Sequence, residues 1–283
     1  MEKTEDIQQL IRLALQEDIG AGDLTSQFFV DETSNDTAYI TAREPLVVAG
    51  SSLAIWVSEE IDPQLKVQVL ISDGELASKG DQVIKIMGNS QSILTAERTI
   101  LNFMQRLSGV ATLTHQYAQA IAGTGTTLLD TRKTTPGWRT LEKYAVTCGG
   151  GQNHRIGLYD RVMVKDNHIA ALGGIQHLQP YLNQFKDSHP NIPIEVEVDT
   201  LTQLEELLKL SHIDYVLLDN MSTNELSQAV QLVKGANSPF QMEASGGVNL
   251  DTIAEIAKTG VDFISVGAVT HSATAVDLGM DFL

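Results

Sequence analysis

Residues 194–198 read Ile-Glu-Val-Glu-Val, and this alternation decides between an open parallel sheet and a barrel. Successive side chains of a strand point to opposite faces, so Glu195 and Glu197 share one face and the branched residues share the other. Residues 241–245, Gln-Met-Glu-Ala-Ser, alternate in the same way. Strands of a flat parallel sheet covered by helices are apolar on both faces. The pattern therefore favours a barrel with polar residues inside.

Short apolar strands alternate with helix-length segments beyond Gly123. The predicted strands are Leu128–Asp130, Val162–Lys165, Ile194–Val198, Tyr215–Asp219, Phe240–Ser245 and Phe263–Gly267. The predicted helices are Gly174–Asp187, Leu201–Leu210, Thr223–Val233 and Leu250–Thr259. Such alternation indicates parallel pairing through right-handed crossovers. Because a complete eight-stranded barrel takes about 250 residues, residues 113–271 predict an incomplete α/β barrel of six or seven strands.

Residues 1–112 predict a separate, smaller α+β domain. Its predicted helices cover residues 4–17, 51–61 and a stretch from Thr95 onward; its predicted strands cover residues 37–42, 46–49, 66–71, 83–87 and 91–94. The C-terminal tail, residues 272–283, could pack back on this domain.

Composition limits the partners of the chain. With 36 acidic against 19 basic residues and a formal net charge of −17, it lacks the broad basic surface that nucleic acid or an anionic membrane requires. Cys148 is the single cysteine, so an intrachain disulfide is excluded. The N-terminus has no signal-peptide pattern and no stretch is apolar enough to span a membrane, which predicts a cytoplasmic location.

A basic segment interrupts this acidic chain between Asp130 and His168. It carries seven lysines and arginines against four carboxylates, together with several glycines. Such a cluster suggests a site for a small polyanion. A solvated charged loop would explain the charges, but not the accompanying glycines, histidines and apolar Val-Met-Val run.

The barrel interpretation predicts where functional side chains gather, because catalytic groups lie at the C-terminal ends of barrel strands. Those ends carry Arg132-Lys133, Lys165, Glu197, Asp219, Ser245-Gly246-Gly247 and Gly267. The late glycine turns are typical of phosphate sites that use backbone N–H groups. Singly, each residue has a structural alternative, such as a helix cap or a plain turn. Together they predict phosphate donors, a carboxylate pair and several cations at one edge.

Several long motifs resemble one family. They are EDIGAGDLTS (17–26), ILTAERTILNFMQRLSGVAT (93–112), DTRKTTPGWR (130–139), GGGQNHRIGLYDRVMVKDNHI (149–169), VEVDTLTQ (196–203), VLLDN (216–220), EASGGVN (243–249) and VGAVTHS (266–272). Their sequence is similar to that of quinolinate phosphoribosyltransferases, also called nicotinate-nucleotide pyrophosphorylases (carboxylating), essentially from end to end. The resemblance implies an N-terminal α/β sandwich joined to an incomplete α/β barrel. It also implies a homodimer or larger assembly in which one subunit's sandwich covers another's barrel.

The implied reaction joins quinolinate to 5-phosphoribosyl-1-diphosphate with Mg²⁺ and yields nicotinate mononucleotide, CO₂ and diphosphate. The resemblance implies that substrates are bound by Arg106 of the neighbouring subunit and by Thr131, Arg132, Lys133, His154, Arg155 and Lys165. It assigns catalysis to Lys165, Glu197 and Asp219, with the last two also holding the metal. The implied phosphate site is Ser245, Gly246, Gly247, Gly267, Ala268 and His271. Glu197 is preferred to Glu195 because it lies nearer the end of its strand.

Four other functions stay open at this point. A molybdenum-associated homologue would share the fold with a different substrate, and a nicotinate-type phosphoribosyltransferase would take a monocarboxylate. A Schiff-base lyase would use Lys165 as its nucleophile. A non-catalytic phosphosugar-binding protein would release no diphosphate.

Overall fold

Two sheets of different character organise the chain, whose computed structural model describes residues 1–283. In chain order, the elements of the first 120 residues are α1 (Glu5–Ile19), α2 (Leu24–Phe29), β1 (Asn35–Ala42), β2 (Leu46–Val47), α3 (Ser51–Ile61), β3 (Lys66–Val69), β4 (Leu76–Ala77), β5 (Gln82–Asn89) and α4 (Ser90–Ala120). The remaining elements are β6 (Thr127–Leu129), α5 (Arg139–Cys148), β7 (Val162–Val164), α6 (Asp166–Leu172), a 3₁₀ helix (Ile175–His177), α7 (Gln179–Ser188), β8 (Ile194–Val198), α8 (Leu201–Leu207), β9 (Tyr215–Asp219), α9 (Thr223–Gly235), β10 (Gln241–Ser245), α10 (Ile253–Ala257), β11 (Phe263–Ser265), α11 (Ala268–His271) and β12 (Leu278–Phe282). None of the helices combines the length and apolar character that crossing a bilayer requires.

The chain divides into two units. The first contains Met1–His115, Thr135–Gly150 and Ser272–Leu283, and the second contains Gln116–Thr134 and Gly151–His271. The predicted domains 1–112 and 113–271 differ from these units mainly at residues 135–150, which were expected in the barrel. Those residues join the first unit because α5 buries Leu141 and Val146, and because Trp138 stacks on Phe103 with ring centroids 5.0 Å apart. Such contacts between residues far apart in sequence leave no local pattern.

The first unit is built on an antiparallel sheet with strand order β12-β1-β5-β3. β12 pairs with β1 from Ala38↔Phe282 to Ala42↔Leu278, so the C-terminal tail supplies an edge strand. Ala38 and Ile40 of β1 are fully buried. A second sheet of two short strands, β2 and β4, completes the unit.

Two local predictions in the first unit were wrong. Residues 91–94 were expected to be a strand, but they form the first turn of α4. The side chain of Asn89 accepts the N–H of Ser92 at 3.1 Å and so caps that helix. The short helix α2 was missed; Asp23 caps it by accepting the N–H of Ser26 at 3.0 Å.

The second unit is a six-stranded parallel sheet with order β6-β11-β10-β9-β8-β7. Helices connect these strands along the sequence. This confirms the predicted incomplete barrel, and the bounds of β8 and β9 are those predicted. Val196 and Val198 of β8 are buried on one face, while Glu195 is fully buried on the other. Glu243 of β10 is buried in the same way, and it pairs with Leu217 of β9. The interior of the barrel therefore contains charged groups.

Substituting Gly109 by alanine is expected to destabilise the first unit. A Cβ at this position would lie 2.0 Å from the backbone oxygen of Thr274, an overlap that α4 can relieve only by moving the C-terminal segment. We expect Gly109→Ala to lower the free energy of unfolding in urea by roughly 1–3 kcal/mol. The matched control is Gly235→Ala in α9, where a Cβ meets nothing within 4 Å. Equal stability of the two variants would contradict the predicted clash.

Candidate active site

A cavity of about 690 Å³ lies at the C-terminal ends of the strands of the second unit. The strands deliver its polar side chains directly: Lys165 follows β7, Glu197 lies in β8, Asp219 ends β9 and Ser245 ends β10. Its other polar lining residues are Thr131, Arg132, Lys133, His154, Arg155, Asn220, Glu243, Ser265 and His271. Side chains from distant parts of the sequence thus meet in one space.

One wall of the cavity is cationic. Arg132 lines this wall, and its Nε is buried without a hydrogen-bond partner within the protein. The Nη1 atom of Arg155 donates to the backbone oxygen of Arg161 at 3.2 Å, which orients this guanidinium. Burial, assisted by the charge of Arg132, lowers the pKa of Arg155 below its ordinary value. The positive charges of the two guanidinium groups repel each other, and a ligand with two carboxylates would neutralise both of them.

Besides the fully buried Glu243, two carboxylates that are partly exposed line the same cavity. Oε2 of Glu197 lies 2.7 Å from Nζ of Lys165, and Oδ2 of Asp219 accepts a hydrogen bond from the side chain of Asn220 at 2.6 Å. The side chain of Glu197 is 13% exposed, whereas that of Glu195 is 0% exposed and lies outside the cavity lining. The structure therefore places Glu197, and not Glu195, where a ligand can reach it. Hard oxygen donors of this kind suit Mg²⁺, which takes one or two carboxylates plus substrate phosphates.

Glycines let the backbone approach a ligand at the far end of the cavity. Gly246 has φ +97°, and a Cβ there would lie 2.1 Å from Oδ1 of Asn220. At Gly267 a Cβ would lie 2.9 Å from Cδ of Lys133 and 3.1 Å from the ring of His271. Ser245, Gly247 and Ala268 also line this part. The predicted phosphate-site residues are therefore brought together, next to a lysine.

The floor of the cavity contains three buried ionisable groups. Nε2 of His154 lies 3.2 Å from Oε2 of Glu195 and 3.1 Å from Oε2 of Glu243. Burial lowers the pKa of His154, but the two carboxyl groups outweigh it and raise the pKa to about 9. Burial raises the pKa of Glu243. Burial also acts to raise the pKa of Glu195, but the contact with His154 holds it below its ordinary value.

The remaining predicted site residues have defined places. Oγ1 of Thr131 accepts the backbone N–H of Lys133 at 3.1 Å, which shapes the turn after β6. Arg106 belongs to the first unit, where its Nη2 lies 2.7 Å from Oε1 of the buried Glu142. Its Nη1 donates to the backbone oxygen of Ala273. The guanidinium is therefore held in a fixed orientation within its own unit.

Sequence reasoning gave no role to three residues of this site. Asn220, with φ +53°, bonds to Asp219 and approaches Gly246. The available signal was an asparagine directly after a predicted strand end, since asparagine adopts a positive φ more readily than most residues. Glu195 and Glu243 supported the barrel through their alternation, but their contact with His154 could not be read from the sequence.

Comparison with known proteins agrees with this geometry. The model of the quinolinate phosphoribosyl transferase C-terminal domain matches residues 110–281, and that of the N-terminal domain matches residues 23–108. The chain belongs to the quinolinate phosphoribosyltransferase family. Among curated members, it is 41% identical to the nicotinate-nucleotide pyrophosphorylase (carboxylating), chloroplastic, of Arabidopsis thaliana, over 98% of this chain and 83% of that one. It is 42% identical to a probable nicotinate-nucleotide pyrophosphorylase (carboxylating) of Synechocystis, over 95% and 90% of the two chains.

Solved structures of family members share the fold. The nicotinate-nucleotide pyrophosphorylase of Francisella tularensis superposes with a TM-score of 0.91 at 40% identity, covering 100% of this chain and 98% of that one. The Ehrlichia chaffeensis protein of the same name gives 0.89 at 36% identity, with both chains covered completely. Because some plant members of the family are named chloroplastic or mitochondrial, a cytoplasmic location stays a prediction for this chain.

The glycine cradle can be tested by adding one methyl group. In Gly246→Ala the new Cβ displaces Asn220, so we expect ribose 5-phosphate to bind at least about tenfold more weakly by titration calorimetry. Gly260→Ala is the control: it has a similar φ of +88° in the second unit, but its Cβ meets nothing closer than 3.7 Å. Both variants should lose about 1–2 kcal/mol of stability from the strained φ. Equal binding by the two variants would contradict a phosphate site at Gly246.

Proposed function

We propose that the chain catalyses the Mg²⁺-dependent transfer of a phosphoribosyl group from 5-phosphoribosyl-1-diphosphate to quinolinate, with decarboxylation, and so contributes to NAD biosynthesis. The observation that carries the proposal is the content of the single cavity at the strand ends. Two guanidinium groups, a carboxylate pair and a glycine cradle all line it. Membership of the family and the names of its curated relatives support the same reaction.

In this proposal the cationic wall binds the two adjacent carboxylates of quinolinate. Arg132 lines the cavity, and Arg155 is oriented by the backbone of Arg161. Planar guanidinium groups bind carboxylates through two parallel hydrogen bonds, which also fixes the orientation of the ring. Lys165 and the edge of His154 close the same region of the cavity. The ring nitrogen of quinolinate is thereby directed toward the sugar.

The phosphosugar occupies the opposite end of the cavity in this proposal. Backbone groups of Gly246, Gly247 and Gly267 hold its 5′-phosphate, and Lys133 lies beside them. Glu197 and Asp219 would hold Mg²⁺, which supplies positive charge against the diphosphate as it leaves. The same two carboxylates stabilise the positive charge that develops on the ribose ring.

The chemistry then needs no dedicated nucleophile. The ring nitrogen of quinolinate attacks C1 of the ribose, and the bond from C1 to the diphosphate oxygen breaks. The C2–carboxylate bond breaks next and CO₂ departs. Its electron pair stays on C2, where the positively charged ring nitrogen stabilises it until a proton from water is added. The protein contributes orientation and electrostatics.

Specific observations weigh against two of the competing functions. A Schiff-base lyase needs an uncharged lysine, but Nζ of Lys165 forms an ion pair with Glu197 at 2.7 Å. A nicotinate-type enzyme would bind one carboxylate and leave the second guanidinium of the wall without a partner. A molybdenum-associated homologue and a non-catalytic phosphosugar-binding protein are distinguished by assay.

The decisive assay mixes the protein with quinolinate, 5-phosphoribosyl-1-diphosphate and Mg²⁺ and measures both CO₂ and nicotinate mononucleotide. We expect both products in equal amounts, and no turnover when nicotinate replaces quinolinate. Chelation of the metal should abolish product formation. No product at micromolar enzyme would overturn the proposed function, and binding of the phosphosugar without diphosphate release would identify a non-catalytic protein.

The proposal includes an assembly in which Arg106 of the partner subunit completes each cavity. Two features support it besides the family resemblance. Glu142 and Ala273 hold the Arg106 guanidinium in a fixed orientation, with the side chain 24% exposed. The chain also exposes the neighbouring rings of Phe28, at 82%, and Phe29, at 78%, whose centroids lie 5.0 Å apart. Exposed apolar clusters commonly mark sites of protein association.

Subunit mixing tests this shared site. Arg106→Ala and Lys165→Ala chains are each expected to be inactive, because each lacks one contributor to every cavity. A mixed dimer has one intact cavity, so it should recover about half of the wild-type activity. The control mixes Lys165→Ala with Asp219→Asn; each substitution damages the cavity of its own chain, so neither cavity of the mixed dimer is intact and no recovery is expected. An inactive Arg106/Lys165 mixed dimer of verified composition would contradict sharing.

A further inference from the structure

Two buried glutamates at the base of the cavity, of which Glu243 lines it, have no part in the reaction as proposed. Glu195 lies on β8 and Glu243 on β10, on either side of β9, and both are fully buried. Each directs Oε2 to the same atom, Nε2 of His154, at 3.2 and 3.1 Å. A histidine between two carboxyl groups inside a barrel is costly to bury, so its arrangement calls for a function.

The hydrogen bonds fix the tautomer of the histidine. The backbone N–H of Arg155 donates to Nδ1 of His154 at 2.7 Å, which requires a lone pair on that nitrogen. The ring proton therefore lies on Nε2, which is within ion-pair distance of both carboxyl groups, although neither contact has the geometry of a hydrogen bond. The backbone N–H of His154 donates to Oδ1 of the buried Asp130 at 2.9 Å. Both the ring and the backbone of this residue are thus anchored.

The charges around the histidine can be balanced without an ion. Nη1 of Arg161 lies 3.5 Å from Oε2 of Glu195, and its guanidinium stacks over the ring of Tyr215 at 4.1 Å. Glu195 therefore carries the negative charge. Glu243 has no such cation and is fully buried, which favours its protonated form. The pKa of His154 is high only while both carboxyl groups are charged; with the extra proton on Glu243, Nδ1 of His154 keeps the lone pair that accepts the N–H of Arg155.

We infer that Glu195 and Glu243 are positioning residues for the bound substrate. They hold the His154 ring with Nε2–H directed inward, so that Nδ1 fixes the backbone amide of Arg155. Fixing this amide fixes the backbone position from which the Arg155 side chain extends along the cavity wall. In this role His154 acts through Arg155, and the glutamates act through His154. The identity of the affected ligand, quinolinate, rests on the proposed function.

The effect should separate the two substrates. Arg155 contacts the dicarboxylate in the proposed complex, whereas the phosphosugar is held by the glycine cradle. Glu243→Leu removes the carboxyl group that lies 3.1 Å from Nε2 of His154, without leaving a new buried charge. We expect the KM for quinolinate to rise about tenfold, with the KM for 5-phosphoribosyl-1-diphosphate within about twofold of the wild-type value. Glu243→Gln keeps an acceptor for Nε2–H and should restore the KM for quinolinate.

The control for a merely structural effect is Met242→Ala, on the same strand. Met242 is 3% exposed and neighbours Glu243 in sequence, so its side chain points to the opposite face of β10. This variant should lose stability yet retain both KM values. The same order, with leucine worse than glutamine, is expected at Glu195. Equal increases in KM for Met242→Ala and Glu243→Leu would show that Glu243 acts only through packing, and would overturn the inference.

Nitrogen NMR of the histidine ring supplies a readout that does not depend on activity. With ¹⁵N-labelled histidine, His154 of the wild type should show an unprotonated Nδ1 and a protonated Nε2, and Glu243→Leu should disturb this pattern. A protonated Nδ1 in the wild type would overturn the inference even if the enzyme is active. If the wild type does not turn over quinolinate, the proposed function fails but this spectrum still decides the role of the glutamates. Stoichiometric Zn²⁺ binding that is lost in Glu243→Gln would also overturn it, since the three groups could then serve a metal.

Discussion

The structure of the second unit depends on keeping charged groups inside the barrel. Glu195 and Glu243 occupy inward positions on β8 and β10, where apolar residues would otherwise form the core. Their burial is tolerated because His154 and Arg161 meet them at hydrogen-bonding or ion-pair distance. The loop that carries His154 and Arg161 therefore has to lie over the strand ends. The glutamates can therefore be buried only if the basic loop lies over the strand ends.

This requirement explains how an acidic protein presents a cationic cavity. The net charge of −17 repels anions at long range, but a concave wall of low dielectric concentrates the field of a few nearby guanidinium groups. Arg132 and Arg155 act over short distances in such a wall, where salt screens them less than at the surface. The two ends of the cavity also differ in how they bind. Side-chain cations form one end, and backbone groups exposed by Gly246 and Gly267 form the other.

The sequence predicted those features that depend on local pattern. The alternation in β8 predicted both its bounds and the inward direction of its glutamates. The expectation that functional groups gather at the C-terminal ends of barrel strands correctly predicted that Lys165, Glu197 and Asp219 share one cavity. Features that depend on distant contacts were not predictable. Residues 135–150 join the first unit through Trp138 and Phe103, which are far apart in the sequence. The residues at 91–94 are apolar enough for a strand, and only the cap at Asn89 identifies them as helix.

The same distinction applies to the site. The motifs indicated that His154 and Arg155 belong to it, but not that His154 turns inward to two glutamates. The most direct test of the account is a crystal structure with quinolinate bound. The account predicts the two carboxylates of the ligand within hydrogen-bonding distance of the guanidinium groups of Arg132 and Arg155, with the His154 ring still on Glu195 and Glu243. Quinolinate bound outside the cationic wall, or a His154 ring turned away from the glutamates to contact the ligand through Nε2, would contradict it.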